Sequence, residues 1–397
     1  MNDDVKRLSG KHVVLCITGS IAAIETVKLA RELQRQGAIV TAVMSEAATR
    51  IVHTDALEFA TGRPVVTSIT GKVEHVTMGG NREGHADLVL VCPATLNTLS
   101  KIEHGVADTP PALVVVTALS HLPVMVVPAM HETMYRHPRY EAMIETLRGW
   151  GIAIVDPRVL EHKAKLPSIE EITYHVKRAL LPKDMTGVRA LVAAGPTIEE
   201  IDDVRFITNR SSGKMGIAIA EELELRGADV RLVLGRTSEE TFVSDVVKRE
   251  DYENMKNEVI RDASRDLYVL AVAASDFSVQ KCEGKISSSK GFSLSLEPNE
   301  KIVDALAEKT EGKIVCFKAE HGVEEGGLVS RAKRALQRGG CSMVVANDVG
   351  REGRGFEGDT NEVYVVKGNG EVIHLSLTSK RRIAKELVDI LARHQGL

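Results

Sequence analysis

The sequence predicts an α/β protein made of two doubly wound, Rossmann-like domains. Short apolar runs of strand length end in small polar turns, and segments of helical period lie between them. A Pro- and Gly-punctuated stretch, Leu180-Leu181-Pro182-Lys183-Asp184-Met185-Thr186-Gly187, breaks the alternation near the middle. At 397 residues the chain can bury two or three cores, and this break favours two domains, 1–181 and 186–397.

Composition narrows the class. Hydrophobic residues make up 43% and charged residues 27%, with a formal net charge of −4, so a nucleic-acid polyanion is not an expected partner. Aromatic residues are 4%, too few for base stacking. No apolar run approaches the roughly 20 residues that span a bilayer, and the polar start MNDDVKRLSGKH resembles no signal or transit peptide. The expected location is cytoplasmic, with no membrane partner. The five cysteines are Cys16, Cys92, Cys282, Cys316 and Cys341, an odd number without a CxxC. All but Cys282 lie in or beside apolar strand-like runs, so they are expected to be small buried hydrophobes outside any disulfide framework.

In the first half, His12 to Ile17 is a strand stopped by Thr18-Gly19-Ser20, and Ala22 to Gln36 an amphipathic helix closed by Gly37. Further strands are expected at Ala38 to Met44, Leu88 to Val91 and Pro123 to Val127. In a parallel sheet their carboxyl ends share one edge. That edge would carry GSIAA (Gly19 to Ala23), SEAA (Ser45 to Ala48), CPATLNT (Cys92 to Thr98) and PAMHETMY (Pro128 to Tyr135), loops able to cradle a phosphate and a flat ring. A lone Gly19-Ser20 falls short of the G-x-G-x-x-G that a dinucleotide needs.

In the second half, Leu191 to Ala194 is a buried strand broken by Gly195-Pro196-Thr197, and a helix begins at Ser211-Ser212-Gly213-Lys214. A helix N-terminus with a mobile lysine favours an anion. It is not a Walker A loop, because Thr208 and Met215 occupy places that need Gly and Ser or Thr. After a helix, Ile217 to Arg226, strands are expected at Asp229 to Leu234, Leu267 to Ala271, Lys313 to Phe317 and Ser342 to Ala346, again a parallel sheet. Helices are expected at Asn299 to Lys309 and Leu328 to Arg338. The chain closes with strands Glu362 to Val366 and Val372 to Leu375 and a helix, Thr378 to Arg393, whose Lys380-Arg381-Arg382 run is most simply a solvated face.

The string AGPTIEEIDDVRFITNRSSGKMG, Ala194 to Gly216, resembles the signature of phosphopantothenate–cysteine ligase, the second half of the bifunctional coenzyme A biosynthesis proteins. Ala273-Ala274-Ser275-Asp276-Phe277, Phe317-Lys318-Ala319-Glu320 and Ala346-Asn347-Asp348 resemble that family's nucleotide-reading motifs. Gly355-Phe356 and Asp359-Thr360-Asn361 resemble its GFxxDxN turn, and Lys285 matches the first lysine of its KxKK loop. The resemblance implies that CTP with Mg²⁺ is bound by Ala273, Ala274, Ser275, Asp276, Lys285, Phe317, Lys333 and Arg338. It further implies an acyl-cytidylate of 4′-phosphopantothenate, held by Asn209 with Arg210, Lys214 and Lys285, that then takes the amine of cysteine.

The four loops of the first half, over about Lys11 to Leu180, resemble the flavin-dependent cysteine decarboxylases, in particular the phosphopantothenoylcysteine decarboxylase half of the same family. The resemblance implies a flavodoxin-like flavoprotein domain holding FMN at Gly19, Ser20, Ser45, Ala94, Thr95 and Asn97. His75 would be catalytic, and His131 and Met134 would lie at the substrate. Two departures stand out. His131 replaces the Asn of the family's PAMN motif, and the usual cysteine-bearing loop is replaced by PRVLEHKAKL, Pro157 to Leu166. Within it, His162 is the candidate proton donor and Lys163 and Lys165 candidate phosphate contacts. The resemblance also implies homo-oligomers, with trimers of the flavin half and dimers of the ligase half, up to a dodecamer. By fold alone, a nicotinamide-dependent oxidoreductase and a flavodoxin-like electron carrier remain open. Neither explains the string Asn209 to Gly216.

Overall fold

The structure, a computed structural model, describes residues 6–81, 85–160, 163–288 and 291–393. The chain divides into two compact units, Met1–Leu181 and Pro182–Leu397.

The first unit holds strands β1 (His12–Ile17), β2 (Ile39–Met44), β3 (Leu88–Ala94), β4 (Val124–Pro128), β5 (Met130–His131), β6 (Ala153–Ile154), β7 (Arg158–Leu160) and β8 (Lys163–Lys165). Its main sheet is parallel, in the order β2-β1-β3-β4-β6, the flavodoxin topology. Strands this apolar are buried on both faces. Val13, Leu15 and Ile17 of β1 pack toward Leu29 and Leu33, while Val14 and Cys16 face the cluster of Val91, Leu99 and Val115. The helix expected from Ala22 opens as a 3-10 turn, Ile21–Glu25, before the α-helix Thr26–Arg35.

The segment PRVLEHKAKL is not a simple loop. Its strands β7 and β8 pair antiparallel with one another, and β8 also pairs with β5, so that Lys163 stands opposite His131 in the register. Pairing with β5 gives the backbone polar groups of Lys163–Lys165 partners that a free loop would have to find in water. His162 lies outside the described residues.

The second unit continues with β9 (Arg189–Pro196), β10 (Ile198–Glu200), β11 (Phe206–Thr208), β12 (Asp229–Leu234), β13 (Asp245–Lys248), β14 (Leu267–Ala273), β15 (Phe277–Ser278), β16 (Glu297–Pro298), β17 (Lys313–Glu320), β18 (Met343–Asp348), β19 (Thr360–Lys367) and β20 (Val372–Ser379). Its eight-stranded sheet runs β13-β12-β9-β14-β17-β18-β19-β20. The first six form the parallel Rossmann order, but β19 and β20 are antiparallel additions, so the sheet is mixed rather than wholly parallel. A short hairpin turn can join antiparallel strands, whereas parallel strands need a crossover. The residues between β19 and β20 leave room only for the hairpin.

Helices Lys214–Leu225 and Lys380–Arg393 cover one face of this sheet, and Tyr252–Arg261 and Ile302–Ala307 cover the other. The last of these is shorter than the helix expected from Asn299 to Lys309. Gly216 lets the first helix rest on β9, because a Cβ there would lie 2.5 Å from Ala194 Cβ.

Cys316 and Cys341 form a disulfide, contrary to the expectation that both are free. Their Cα atoms are 6.2 Å apart, since the turn entering β18 lies beside β17. An odd cysteine count argues against a framework of bridges but says nothing against a single pair. Cys16 and Cys92 are free and buried, as expected, and Cys282 is free.

Candidate functional site

The first unit gathers its candidate residues where the strand order reverses, at the carboxyl ends of β1 and β3. Three hydroxyl residues cap the three segments that leave this edge. Ser20 Oγ accepts from Ala22 N (3.4 Å), Ser45 Oγ from Ala48 N (3.3 Å) and Thr95 Oγ1 from Thr98 N (3.3 Å). Thr18, which the sequence marks only as the end of a strand, ties two of these loops. Buried, it donates to Pro93 O (2.7 Å) and accepts from Thr95 N (3.1 Å). Gly19 lets the first loop lie against the second, since a Cβ there would meet Ala47 Cβ at 2.5 Å. Ala94 is buried at the end of β3, and Asn97 is exposed in the first turn of the next helix.

His75 is half-buried near the start of the helix Glu74–Gly79, and its Nδ1 is buried without a hydrogen-bond partner. An imidazole nitrogen left unpaired in this way fits a site where a flavin or substrate supplies the partner. The residue two before it, Val73, has φ 50°, a left-handed conformation that a β-branched side chain rarely adopts. His131 caps the helix Glu132–Tyr135. Its Nδ1 accepts from Thr133 N (3.3 Å) and lies 3.0 Å from Thr133 Oγ1, which leaves Nε2 as the nitrogen that carries hydrogen. Met134 is exposed beside it.

The second unit repeats the arrangement where β9 meets β14. Asn209 follows β11, and its Nδ2 donates to Ala273 O (3.0 Å) and Ala274 O (3.2 Å). Thr197 completes the junction. Its Oγ1 accepts from Ser275 N (2.8 Å), and its carbonyl accepts from Thr208 Oγ1 (2.9 Å). Asp276 is ion-paired with Lys301. Asn347 donates to Asn361 Oδ1 (3.3 Å), which joins the AND and DTN segments.

Lys285 lies exposed on a loop anchored to the turn between β10 and β11. Asp202 is the anchor, accepting from Val204 N (2.8 Å), Arg205 N (2.7 Å) and Ile286 N (3.1 Å). Burial pushes its carboxyl up, but these backbone hydrogen bonds outweigh it and hold the group below the usual carboxylate range.

Phe317 lies half-buried in β17. Lys333 is exposed midway along the helix Glu325–Gln337, while Arg331 of that helix pairs with Glu320 at the end of β17. Arg338 caps that helix where the chain returns to the amino ends of the strands, as Ser342 N→Ile314 O (2.8 Å) shows. This is the edge opposite Asn209 and Ser275, so Arg338 is not brought to the expected nucleotide site. The physical reason is helix direction: a crossover helix leaves from the carboxyl edge and ends at the amino edge.

Lys214 donates to Asp359 Oδ1 (2.7 Å) and Glu357 O (3.1 Å), and Asp359, more than the more distant Glu239, pushes its pKa up. Arg210 is exposed beside it in sequence. Lys380, expected on a solvated face, is only 6% exposed. The signal was present in the helical phase, because Lys380, Ile383, Ala384, Leu387, Val388 and Leu391 form one buried stripe. Among the described residues, no group of three or more His, Cys, Asp or Glu gathers to hold a metal, and no helix is long and apolar enough to cross a membrane.

Fold and loops define the class: a flavodoxin-like flavoprotein unit followed by a Rossmann-like unit with its candidate site at the switch point. Residues 2–181 match the family Flavoprotein, and residues 185–394 match the DNA/pantothenate metabolism flavoprotein C-terminal domain. The chain is 50% identical over 389 residues to the coenzyme A biosynthesis bifunctional protein CoaBC of Thermococcus kodakarensis, covering 97% of this chain and 95% of that one. It is 36% identical over 393 residues to the protein of the same name from Methanocaldococcus jannaschii, covering 97% and 94%. A crystal structure of the C-terminal domain of a CoaBC protein aligns with TM-score 0.44 and 31% identity, covering 53% of this chain and 97% of that chain. The chain belongs to the bifunctional coenzyme A biosynthesis proteins. It is an enzyme with a decarboxylase and a ligase activity.

Proposed function

We propose that the ligase unit, 186–397, uses CTP to join cysteine to 4′-phosphopantothenate. The carboxylate oxygen attacks the α-phosphorus and pyrophosphate leaves; the amine of cysteine then attacks the acyl carbon and CMP leaves. The observation that carries this reading is the junction of Asn209 with Ala273 and Ala274 at the switch point, where an α/β sheet binds nucleotides. Ala273, Ala274, Ser275, Asp276 and Phe317 would receive the nucleoside. Lys285, Lys333, Lys214 and Arg210 would meet the phosphates and the acyl-cytidylate, which Asn209 orients. Mg²⁺ is assigned to the nucleotide's own phosphates, as is usual for an ion bound with few protein ligands. The test is whether CTP and phosphopantothenate alone give at most one pyrophosphate per site while sustained release needs cysteine as well, and whether ATP replaces CTP.

The decarboxylase unit, 1–181, would convert the product to 4′-phosphopantetheine. The residues that would hold FMN are Gly19, Ser20, Ser45, Ala94, Thr95 and Asn97. When bound, FMN supplies the oxidation of the cysteinyl thiol and its later reversal. His75 would hold the substrate carboxylate or move a proton at Nδ1. His131, with Nδ1 committed to its cap, offers Nε2–H where the family uses an Asn amide, next to Met134. Lys163 and Lys165 would grip the substrate phosphate, and His162 would protonate the carbon left by carbon dioxide. His162→Gln in single turnover tests this last role; fully reduced product at the parent rate would exclude it.

We further propose a cytoplasmic homo-oligomer. Val204, Phe206, Ile207 and Phe277 expose apolar surface on the ligase unit, and Ile21, Ile24 and Phe59 do so on the flavin unit. Dimers through the first patch and trimers through the second generate a dodecamer. Light scattering of the intact chain checks the stoichiometry.

A further inference from the structure

The segment Gly355–Asp359 is held from two sides. From the head of helix Lys214–Leu225 and the residues just before it, Ser212 Oγ donates to Phe356 O (2.7 Å), and Lys214 reaches Glu357 O and Asp359 Oδ1 (3.1 and 2.7 Å). From the last helix, Lys380 Nζ donates to the same Phe356 O (2.8 Å) and to Gly355 O (3.4 Å), while its backbone N–H donates to Asp359 O (2.9 Å). One carbonyl, that of Phe356, is therefore shared by Ser212 and Lys380. Thr237 Oγ1 fixes Ser212 from behind through its carbonyl (2.7 Å).

Lys380 is an expensive choice for this place. A cation in the first turn of a helix opposes the helix dipole, and a buried ammonium loses most of its hydration. Burial, and after it the neighbouring ammonium of Lys214, push its pKa down to about 8, against the pull of Asp359 and Glu239. An apolar residue would continue the buried stripe at lower cost. Such a break of local rules marks a position kept for something other than stability.

We propose that Lys380 is a positioning residue of the ligase reaction: its ammonium fixes the Gly355–Asp359 segment so that Ser212 and Lys214 present one geometry to the anionic substrates. This rests on the ligase reading given above. Lys380 itself is covered and donates inward to carbonyl groups, so it acts through Lys214 and not on substrate. Cysteine, which brings no phosphate, is not expected to sense it.

The test uses the full-length protein and Lys380→Met, which keeps the volume and removes the charge. Hydrogen exchange, which does not depend on any assigned activity, should show faster exchange at 353–361 and 209–216 and little change elsewhere. In pyrophosphate-release kinetics, KM for CTP or for phosphopantothenate should rise about tenfold or more, with KM for cysteine within about twofold. Decarboxylation of supplied substrate should stay within about twofold, as an internal control. Unchanged exchange in both segments overturns the proposal, and so does a fall in kcat with all KM values unchanged. If the parent protein makes no pyrophosphate from CTP, the ligase reading fails, while the exchange experiment still decides whether Lys380 holds the segment. Should Lys380→Met lose cooperative melting, Lys380→Gln, which keeps a donor but removes the charge, decides: faster exchange at 353–361 and 209–216 with the same KM split supports the proposal, and unchanged exchange or unchanged KM values overturn it.

Discussion

Asn209 Nδ2 lies 3.0 Å from the carbonyl oxygen of Ala273, so a residue from the loop after β11 is bonded to the end of β14 at the point where the strand order reverses. The bond spans 64 positions in sequence. It fixes the amide plane, and with it the side-chain oxygen that a bound acyl nucleotide would meet.

Asn209→Asp replaces that donor with a carboxylate facing two carbonyl groups. Leaving such groups unsatisfied costs on the order of 1–3 kcal/mol, more where charge is involved. Amide formation should fall by about 100-fold or more. Decarboxylation of supplied phosphopantothenoylcysteine should be unchanged, because that chemistry belongs to the other unit. Parallel assays of pyrophosphate and carbon dioxide on one preparation check both halves, and equal loss of both in a folded protein would count against the assignment.

His75→Asn should retain flavin, read from the absorbance of the purified protein, and lose carbon dioxide release by about 100-fold or more. The buried, partnerless Nδ1 motivates this choice. Decarboxylation at the parent rate would make His75 a loop residue without a catalytic part.

Asp202→Ala should free the Lys285 loop from the turn after β10. Three backbone N–H groups lose their acceptor, and KM for CTP should rise several-fold while kcat for decarboxylation stays put. The pH dependence follows from the lowered carboxyl pKa. For a depressed pKa, the stabilisation is complete above the unfolded value, about 3.9, and disappears as pH falls through the folded value. The loop should therefore stay anchored at neutral pH and at pH 5, and release only in stronger acid; exchange of the Ile286 amide reads this directly. Release already at pH 6 would exclude Asp202 as the anchor.

Reduction of Cys316–Cys341 opens a loop with a sequence separation of 25. Loop-closure entropy puts its contribution at roughly 3–4 kcal/mol. Cys316→Ser, or a reductant, should lower the melting temperature of the ligase unit by roughly 10 °C, since each kcal/mol is worth about 2–4 °C in a unit of this size. An alkylation count of three thiols in the unreduced, unfolded chain, rising to five on reduction, identifies the bond chemically.

Local chemistry made much of the protein legible in advance. The two doubly wound sheets follow from apolar runs that cannot face water on either side, and the loops follow from hydroxyl, glycine and proline residues that can only end strands and start helices. Ser20, Ser45 and Thr95 entered as candidates through the resemblance of their loops, and the caps they form involve only residues within three positions. The long ordered string from Ala194 to Gly216 carried the family. Even the burial of Lys380 was present in the helical phase of its neighbours, although the charge run Lys380-Arg381-Arg382 pointed the other way.

What the tertiary structure alone decided are the relations between residues far apart in the chain. These are the bridge of Thr18 to Pro93 and Thr95, the amide of Asn209 on Ala273, the shared carbonyl of Phe356, and the pairing of Cys316 with Cys341. Each depends on the fold of a unit as a whole, set by how entire faces bury together within that unit, a sum that no window of sequence contains. The same reason took Arg338 away from the nucleotide: the resemblance put it near the phosphates, but the direction of its helix across the sheet carries it to the amino ends of the strands.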